Sequence, residues 1–453
     1  MTATVDPHAE LNSLLDRVEE GMQENLVPIE IFSNDAIFDA EMRRIFARCW
    51  VFVAHESEIP SPGDYVLRRI GLDPVIVARD ESGSVNVLSN YCRHRATMVC
   101  QVDQGNASHF RCPYHGWIYK NNGDWLGAPH RNRAYRKLDP KQWGLLRAPH
   151  VDSIHGLIFA SLSPDAPTLR DFLGEATVWM LDALFGLHPD GMRVMAPPDR
   201  MRVRTDWKSA AENAGGDTYH ADTTHISLDD IGLAAKLPQL NDHARHYDLG
   251  SGNTFIGHGF VDWLGSDFWY WGYPRELTSQ FVTSGLDDAQ RSMLDSHPPI
   301  TGTLFPNFSY LRFPGSPDPE TKPLAVYTSI RLWQPIAPGV QELWNWQLSW
   351  NCSPKEYSEA CYDAGQNAFG SSGVFEQDDT VVWEGLPQAA RSVFAQKNHM
   401  MANYQLATEG MSEQSKDANW QGPGISRITG FGECNQMSFY RRWLKEMRQP
   451  GQQ

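Results

Sequence analysis

The 453-residue chain has no run of about 18 consecutive apolar residues, which removes a membrane-spanning helix from consideration. It also lacks a basic excess. Its 39 Lys and Arg against 55 Asp and Glu leave a net charge of -16, which argues against a nucleic-acid footprint and against adhesion to an anionic membrane. Cysteine is scarce and odd in number: the seven at 49, 92, 100, 112, 352, 361 and 434 form no disulfide-like framework and favour a reducing compartment. The opening MTATVDPHAELN has neither the basic nor the apolar region of a signal peptide, so a cytoplasmic location is the expectation. Internal repeats, low-complexity segments and a glycine-rich nucleotide-binding fingerprint are also missing. What is abundant is core material. Hydrophobic residues make up 41 % of the chain, with 16 Trp, 20 Phe and 15 Tyr, and the length calls for two domains, one of them large.

Leu11, Leu14, Leu15, Val18 and Met22 recur at helical spacing, as do Phe38, Met42, Ile45, Phe46 and Cys49 behind a Ser33-Asn34-Asp35 capping cluster. Two amphipathic helices are therefore predicted at the start, their stripes read as core packing. From Trp50 to about Ser163 the text becomes short apolar runs between turn residues, with Asn122-Gly123 a strong hairpin signal. This stretch reads as a small all-β domain. After the proline-rich stretch from Pro164 to Pro167, a helical run from Leu169 to Phe185 and strand-like runs from Ala325 to Trp333 and Gln341 to Trp350 lack βαβ alternation. The fold class expected is α+β, with the larger domain built on an antiparallel sheet flanked by helices.

Two spaced loops inside the all-β stretch carry chemistry. Cys92-Arg93-His94 is followed by Cys112-Pro113-Tyr114-His115-Gly116-Trp117, so each loop offers one thiolate and one imidazole. That pairing suits a [2Fe-2S] cluster in which two histidines replace two cysteines on one iron, whose reduction potential is high enough to accept single electrons readily. Structural zinc competes, but zinc loops usually repeat like donors at short spacing. Pro113 and Gly116 fit tight turns around a cofactor.

A second constellation lies in Glu212-Asn213-Ala214-Gly215-Gly216-Asp217-Thr218-Tyr219-His220-Ala221-Asp222-Thr223-Thr224-His225. Two histidines and a carboxylate from elsewhere make the facial triad that leaves positions open on Fe(II). On one unbroken helix His220 and His225 would point roughly 140° apart, so the helix must end or distort between them, with Thr223 and Thr224 marking the end. Asp217, three residues before His220, is placed on the same helical face as a supporting carboxylate. Taken alone, the histidine pair reads more readily as satisfied structural side chains. A third ligand is available in Gly373-Val374-Phe375-Glu376-Gln377-Asp378-Asp379, where chemistry alone leaves the three acids open.

With both motifs on one chain, the sequence resembles the large (alpha) subunits of the Rieske non-haem iron aromatic-ring-hydroxylating dioxygenases of the naphthalene and biphenyl type. Phe305-Pro306-Asn307 and Gly432-Glu433 through Phe439-Tyr440-Arg441 extend the likeness toward the C-terminus. The resemblance implies a Rieske cluster on Cys92, His94, Cys112 and His115, and mononuclear iron on His220, His225 and Asp379, with Asp378 as the fallback. It also implies catalytic support from Asp217 and Asn213, and pocket walls at Ala214, Ala221, Phe369 and Phe375. The small Ala214-Gly215-Gly216 run implies either a roomy pocket for a bulky or polycyclic aromatic or an aryl acid, or simply helix packing. Arg312 and Arg331 could meet a carboxylate but more often satisfy structural acids.

The implied organisation is N-terminal helices over 1–47 packing on the catalytic domain, a Rieske domain over 48–165 and the catalytic domain over 166–453. The implied assembly is an α3 ring or an α3β3 hexamer with a small beta subunit, in which Asp217 bridges His220 to a neighbour's Rieske histidine, here His115. NADH electrons would arrive through a reductase and usually a ferredoxin, and the product would be a cis-dihydrodiol. Monooxygenation such as dealkylation uses the same centres; a Rieske electron carrier without oxygenase chemistry and a zinc hydrolase are the alternatives from other classes.

Overall fold

The computed structural model describes residues 7–226, 244–259, 270–316, 324–429 and 432–449. They form two compact units, 46–169 and 1–45 together with 170–453.

The smaller unit is all-antiparallel. Strands β1 (Val51–His55), β2 (Asp64–Ile70), β3 (Asp73–Arg79), β4 (Val85–Ser89), β5 (Gln104–Asn106), β6 (His109–Arg111), β7 (Ile118–Lys120), β8 (Trp125–Gly127), β9 (His150–Ile154) and β10 (Leu157–Ser161) make three sheets, ordered β4-β3-β2-β5, β6-β7-β8 and β9-β10-β1. Asn122-Gly123 makes the β7–β8 turn, with Gly123 at φ +92°, a conformation that costs a residue without Cβ nothing. Tyr65, Ile76, Leu88, Val99, Phe110, Trp117, Tyr119 and Trp125 pack into one core, and Cys92 and Cys112 are buried among them.

The larger unit is built on a nine-stranded antiparallel sheet. Its strands are β11 (Met192–Val194), β12 (Asp199–Val203), β13 (Ala244–Asp248), β14 (Thr254–His258), β15 (Pro299–Leu304), β16 (Phe308–Gly315), β17 (Ala325–Ala337), β18 (Val340–Trp350) and β19 (Ile425–Ile428). The order is β11-β18-β17-β16-β15-β14-β13-β19, with β12 also pairing β18. The strands β17 and β18 are buried along nearly their whole length, polar side chains such as Ser329, Arg331, Gln341, Asn345 and Gln347 included.

Helices α1 (Pro7–Gly21) and α2 (Asp35–Glu41) open this unit, and the Asn34 side chain caps α2 by accepting from the Ile37 N–H at 3.0 Å. The continuation expected as one helix through Cys49 becomes a π-helical turn over Met42–Phe46. The run from Leu169 to Phe185 is also not one helix. It divides at Gly174, whose φ of +81° separates α3 (Leu169–Leu173) from α4 (Glu175–Phe185). Further on come α5 (Trp207–Gly216), α6 (Ala221–Thr224), α7 (Lys355–Phe369), α8 (Val374–Trp383) and α9 (Cys434–Arg448).

A buried charge cluster fixes where α5 begins. Lys208 lies 2.6 Å from Glu41 of α2 and 2.7 Å from Asp206, the N-cap of α5, and the indoles of Trp207 and Trp443 donate to Glu41. Burial pushes Glu41 up to about 7 against the pull of Lys208, while the two carboxylates outweigh burial at Lys208 and raise its pKa. Buried charges are tolerated only when paired and hydrogen-bonded this fully, so the cluster locks α2, α5 and α9 in one arrangement.

Candidate metal centres and substrate pocket

The smaller unit presents two loops of the same construction, between β4 and β5 and between β6 and β7. In each, the cysteine N–H bonds to the carbonyl five residues on (Cys92 to Thr97 and Cys112 to Trp117). In each, the residue four positions on returns its N–H to the cysteine carbonyl (Ala96 to Cys92, Gly116 to Cys112). That fourth residue has positive φ in both, +54° at Ala96 and +68° at Gly116. The turn puts the sulfur donors inside and the imidazoles at the rim: Cys92 and Cys112 are buried, His94 and His115 half-buried with their rings 4.5 Å apart. Trp117 stacks on His94, and the Tyr119 hydroxyl lies 3.2 Å from the Cys92 sulfur.

In the larger unit the helix break expected near Thr223 and Thr224 falls earlier. Helix α5 ends at Gly216 with Asp217 as its C-cap, and His220 and His225 flank the short α6 as its two caps. Asp217 therefore does not reach His220 across a helical face. Instead its Oδ1 accepts the His220 backbone N–H at 3.1 Å and sits 3.4 Å from His220 Nδ1. The reason for the early break is packing. A Cβ on Gly215 would fall 2.7 Å from Thr254 Oγ1, and one on Gly216 2.6 Å from Asn435 Cβ, so these glycines bring α5 against the sheet and α9. Of the Ala214-Gly215-Gly216 run, Ala214 lines the pocket and the glycines serve packing. The end of α5 is held by Thr301, which donates to the Ala214 carbonyl at 2.9 Å, and by Asn435, which donates to that of Gly215 at 2.8 Å.

From α8, Glu376, Asp379 and Trp383 project to the buried side. Asp379 Oδ1 lies 3.3 Å from Nε2 of His220 and 3.3 Å from Nε2 of His225. Asp378 lies on the far side, its Oδ2 3.5 Å from His225 Nδ1. Each histidine is thus held between two acids, with one nitrogen turned to Asp379. Burial would raise Asp379, but the two imidazoles outweigh it and hold it down to about 2. Burial would likewise lower His220, but Asp217 and Asp379 lift it well above its ordinary value. Glu376 takes no part in this convergence: it pairs with Arg331 at 2.5 Å, and burial pushes it up to about 7.

His220, His225 and Asp379, whose donor atoms lie within 4.8 Å of one another, line a pocket of about 130 Å³. Asn213, Ala214, Ala221, Phe369 and Phe375 all line it, and Asn213 Nδ2 donates to Asp217 Oδ2 at 3.3 Å. Phe375 meets His225 edge-on at 5.0 Å and stacks on Phe369 at 5.4 Å. The opposite wall is sheet: Ile256, His258, Thr301, Leu311, Phe313 and Tyr327. Sequence reading found none of these six, because strand residues two apart on separate strands leave no linear motif. Arg312 is buried away from the pocket lining, donating to the Leu184 carbonyl beneath the Trp271 ring.

Comparison with known proteins agrees with this geometry. A model of the Rieske [2Fe-2S] domain matches residues 49–146. The chain is 45 % identical to the alpha subunit of an N,N-dimethyl phenylurea N-demethylase from Sphingobium sp. (strain YBL2), over 98 % of this chain and 96 % of that one. It is 31 % identical to the large oxygenase component of a naphthalene 1,2-dioxygenase system from Ralstonia sp, over 91 % of this chain and 90 % of that one. The chain belongs to the Rieske non-haem iron ring-hydroxylating oxygenases. As a large subunit of that family it is an oxidoreductase, and it shares the fold of the naphthalene 1,2-dioxygenase from Rhodococcus sp. bound to indole. The TM-score to that structure is 0.88 at 34 % identity, covering 97 % of this chain and 99 % of that one.

Family membership brings two metal groups, a Rieske cluster and a mononuclear iron, and the residues present fit both. Two buried sulfurs and two rim imidazoles match the cluster's mixed donor set, and His94 Nδ1 is buried without a hydrogen-bond partner among the described residues. At the second centre, ligands about 2.1 Å from a common ion lie about 3 Å apart when adjacent, close to the spacing around Asp379 Oδ1. Among the described residues no helix is long and apolar enough to cross a membrane.

Proposed function

We propose that this Rieske oxygenase subunit hydroxylates a neutral aromatic compound, adding both atoms of dioxygen to give a cis-dihydrodiol. One observation carries the reading: Asp379 converges with His220 and His225 in the lining of a pocket walled by Phe369, Phe375, Leu311 and Phe313. Cys92, His94, Cys112 and His115 would hold the cluster, within a domain over 48–165, and His220, His225 and Asp379 the iron, within a domain over 166–453. When bound, the cluster supplies single electrons and the iron activates dioxygen. The chain's own residues orient and exclude. Asp217 fixes the His220 ring through Nδ1, Asp378 faces His225 Nδ1, and the stacked Phe375 and Phe369 present flat apolar surface to a ring. Asp217 is also the residue to bridge toward a neighbouring subunit's His115.

The charge pattern supports one of the substrate classes the sequence left open. Arg331 lines the pocket, but its guanidinium already donates to Glu376 at 2.5 Å and lies over Phe369 at 4.4 Å. A paired arginine gains little from a substrate carboxylate, which favours neutral aromatics over aryl acids. Reductant would come from NADH through a reductase and ferredoxin to an α3 or α3β3 assembly in the cytoplasm.

The 45 % identity to an N-demethylase supports a second reading, oxidative N-demethylation. Both reactions consume O2, two electrons and two protons. The first places two oxygens on the ring; the second turns an N-methyl group into N–H and formaldehyde and releases water. Turnover under ¹⁸O2 separates them. Two labelled atoms in one diol uphold dioxygenation, and stoichiometric formaldehyde without a doubly labelled product replaces it with demethylation.

A further inference from the structure

Two neighbouring strands hold Phe369 at two points. Arg331 of β17 and Asn345 of β18 stand opposite each other in the sheet, and both are buried. Asn345 Nδ2 donates to the Phe369 carbonyl at 2.6 Å, while the Arg331 guanidinium lies over the Phe369 ring at 4.4 Å. One residue fixes the backbone and the other the plane of the ring. Helix α7 comes this near because the face it turns to the strands is small. Ala364, Gly365 and Ala368 are buried there, and a Cβ on Gly365 would collide with the Gln347 amide oxygen.

The contacts run on from Phe369. Phe375 stacks on it at 5.4 Å with the ring planes 21° apart, and the same ring meets His225 edge-on at 5.0 Å. Arg331, Phe369, Phe375 and His225 thus form one column, and all four line the pocket. Stability alone does not account for the charged member of this column. A buried ion pair commonly contributes no more than apolar side chains of similar volume, so a methionine would fill the place of Arg331 equally well. What methionine lacks is a rigid planar face. The guanidinium, held by Glu376 Oε2 at 2.5 Å, offers such a face to the aromatic ring, and a lysine ammonium does not.

We propose that Arg331 is a positioning residue of this site: anchored by Glu376, it sets the plane of Phe369 and through it that of Phe375, so that the pocket prefers a flat aromatic ring to a thicker one of similar length. Arg331 acts through Phe369 and not through a bond to the substrate. The inference rests on the pocket being the oxygenase substrate site.

The test uses the holoenzyme with both metals, without reductant, and two bicyclic probes, 2-naphthol and its saturated counterpart decahydro-2-naphthol. Dissociation constants are measured for the wild type, Arg331→Lys and the double variant Arg331→Met/Glu376→Gln, and iron content with cluster absorbance confirms folding. The lysine variant decides the matter, because it keeps a cation beside Glu376 and loses only the planar face. The wild type is expected to favour the flat probe, and that preference should fall by about threefold to tenfold in both variants. Should the lysine variant lose iron, the double variant, which leaves no buried charge at this point, gives the reading. A role in charge balance alone predicts a lysine variant like the wild type, and that result overturns the proposal. So does a wild type without preference between the probes, or a double variant that keeps the preference in full. Oxygen-dependent product from naphthalene in the wild type bears on the oxygenase reading alone: its absence would remove that reading while the probe ratio still judges the column.

Discussion

The two candidate metal centres are built in opposite ways. Around Cys92 and Cys112 everything needed lies within 26 residues: two loops repeat one hydrogen-bond pattern, each leaving a core strand and returning to the same small core. Around Asp379 the donors come from α6 and its caps and from α8, 154 residues apart, and are held by a glycine-packed helix, a nine-stranded sheet and a buried charge cluster at the start of α5. The first is a property of turns; the second is a property of the whole larger unit. Damage to the first should therefore stay local, and damage to the second should be possible from a distance.

Asp379→Ala is the strongest way to break that contrast. It should abolish product formation, a loss of at least about a thousandfold, and remove mononuclear iron while the visible cluster spectrum and its reduction by partner proteins persist. Turnover like that of the wild type would reject the ligand assignment. Lys208→Ala acts from the first turn of α5. Leaving Glu41 and Asp206 buried without their cation should cost about 3–5 kcal/mol, read in denaturant unfolding of the larger unit, and should lower iron occupancy while cluster absorbance holds. Loss of both centres together would show that the two are not independent.

Asp217→Asn should retain both metals and lower turnover about 10–100-fold, because it weakens the group that orients His220. Single-turnover kinetics like those of the wild type would remove that role. In the smaller unit, Gly116→Ala should cost about 1–3 kcal/mol and speed cluster loss. Its Cβ would meet Pro129 Cγ at 2.9 Å at a φ of +68°, while Ala96→Gly, relieving φ +54° in the twin loop, should be close to neutral. Cluster half-life in both variants is the measurement.

The smallest effect concerns Glu376. Burial raises it from 4.5 to about 7, so its folded form favours the protonated carboxyl. The stability this contributes is complete below pH 4.5 and is lost as pH climbs toward 7. The melting temperature of iron-free wild type should therefore fall across that window by about 1–3 °C more than that of Glu376→Gln. Parallel curves would mean that Arg331 keeps Glu376 ionised throughout.

Legibility followed the same division. Cys92, His94, Cys112 and His115 could be read as a set because a β-hairpin loop is local and donor spacing survives in the linear text. His220 and His225 were readable as a pair, but the position of the helix break was not. The threonines suggested Thr223 and Thr224, whereas Gly215 and Gly216 end α5 early because Thr254 and Asn435 press against it from elements far away in sequence. Likewise the split at Gly174 and the π-helical turn after Glu41 interrupt stripes whose periodicity alone gave no sign of it.

By itself, then, the sequence determined the α+β class, the cluster loops and the residues from which an iron site could be drawn, since periodicity and ligand spacing are short-range properties. Only the tertiary structure decided that Asp379 faces both histidines while Asp378 stands behind one, that Glu376 engages Arg331, and that His258 joins the pocket wall. Those are matters of which face an α-helix buries and which strands lie side by side, and both are set by long-range packing that no local stretch of the chain encodes.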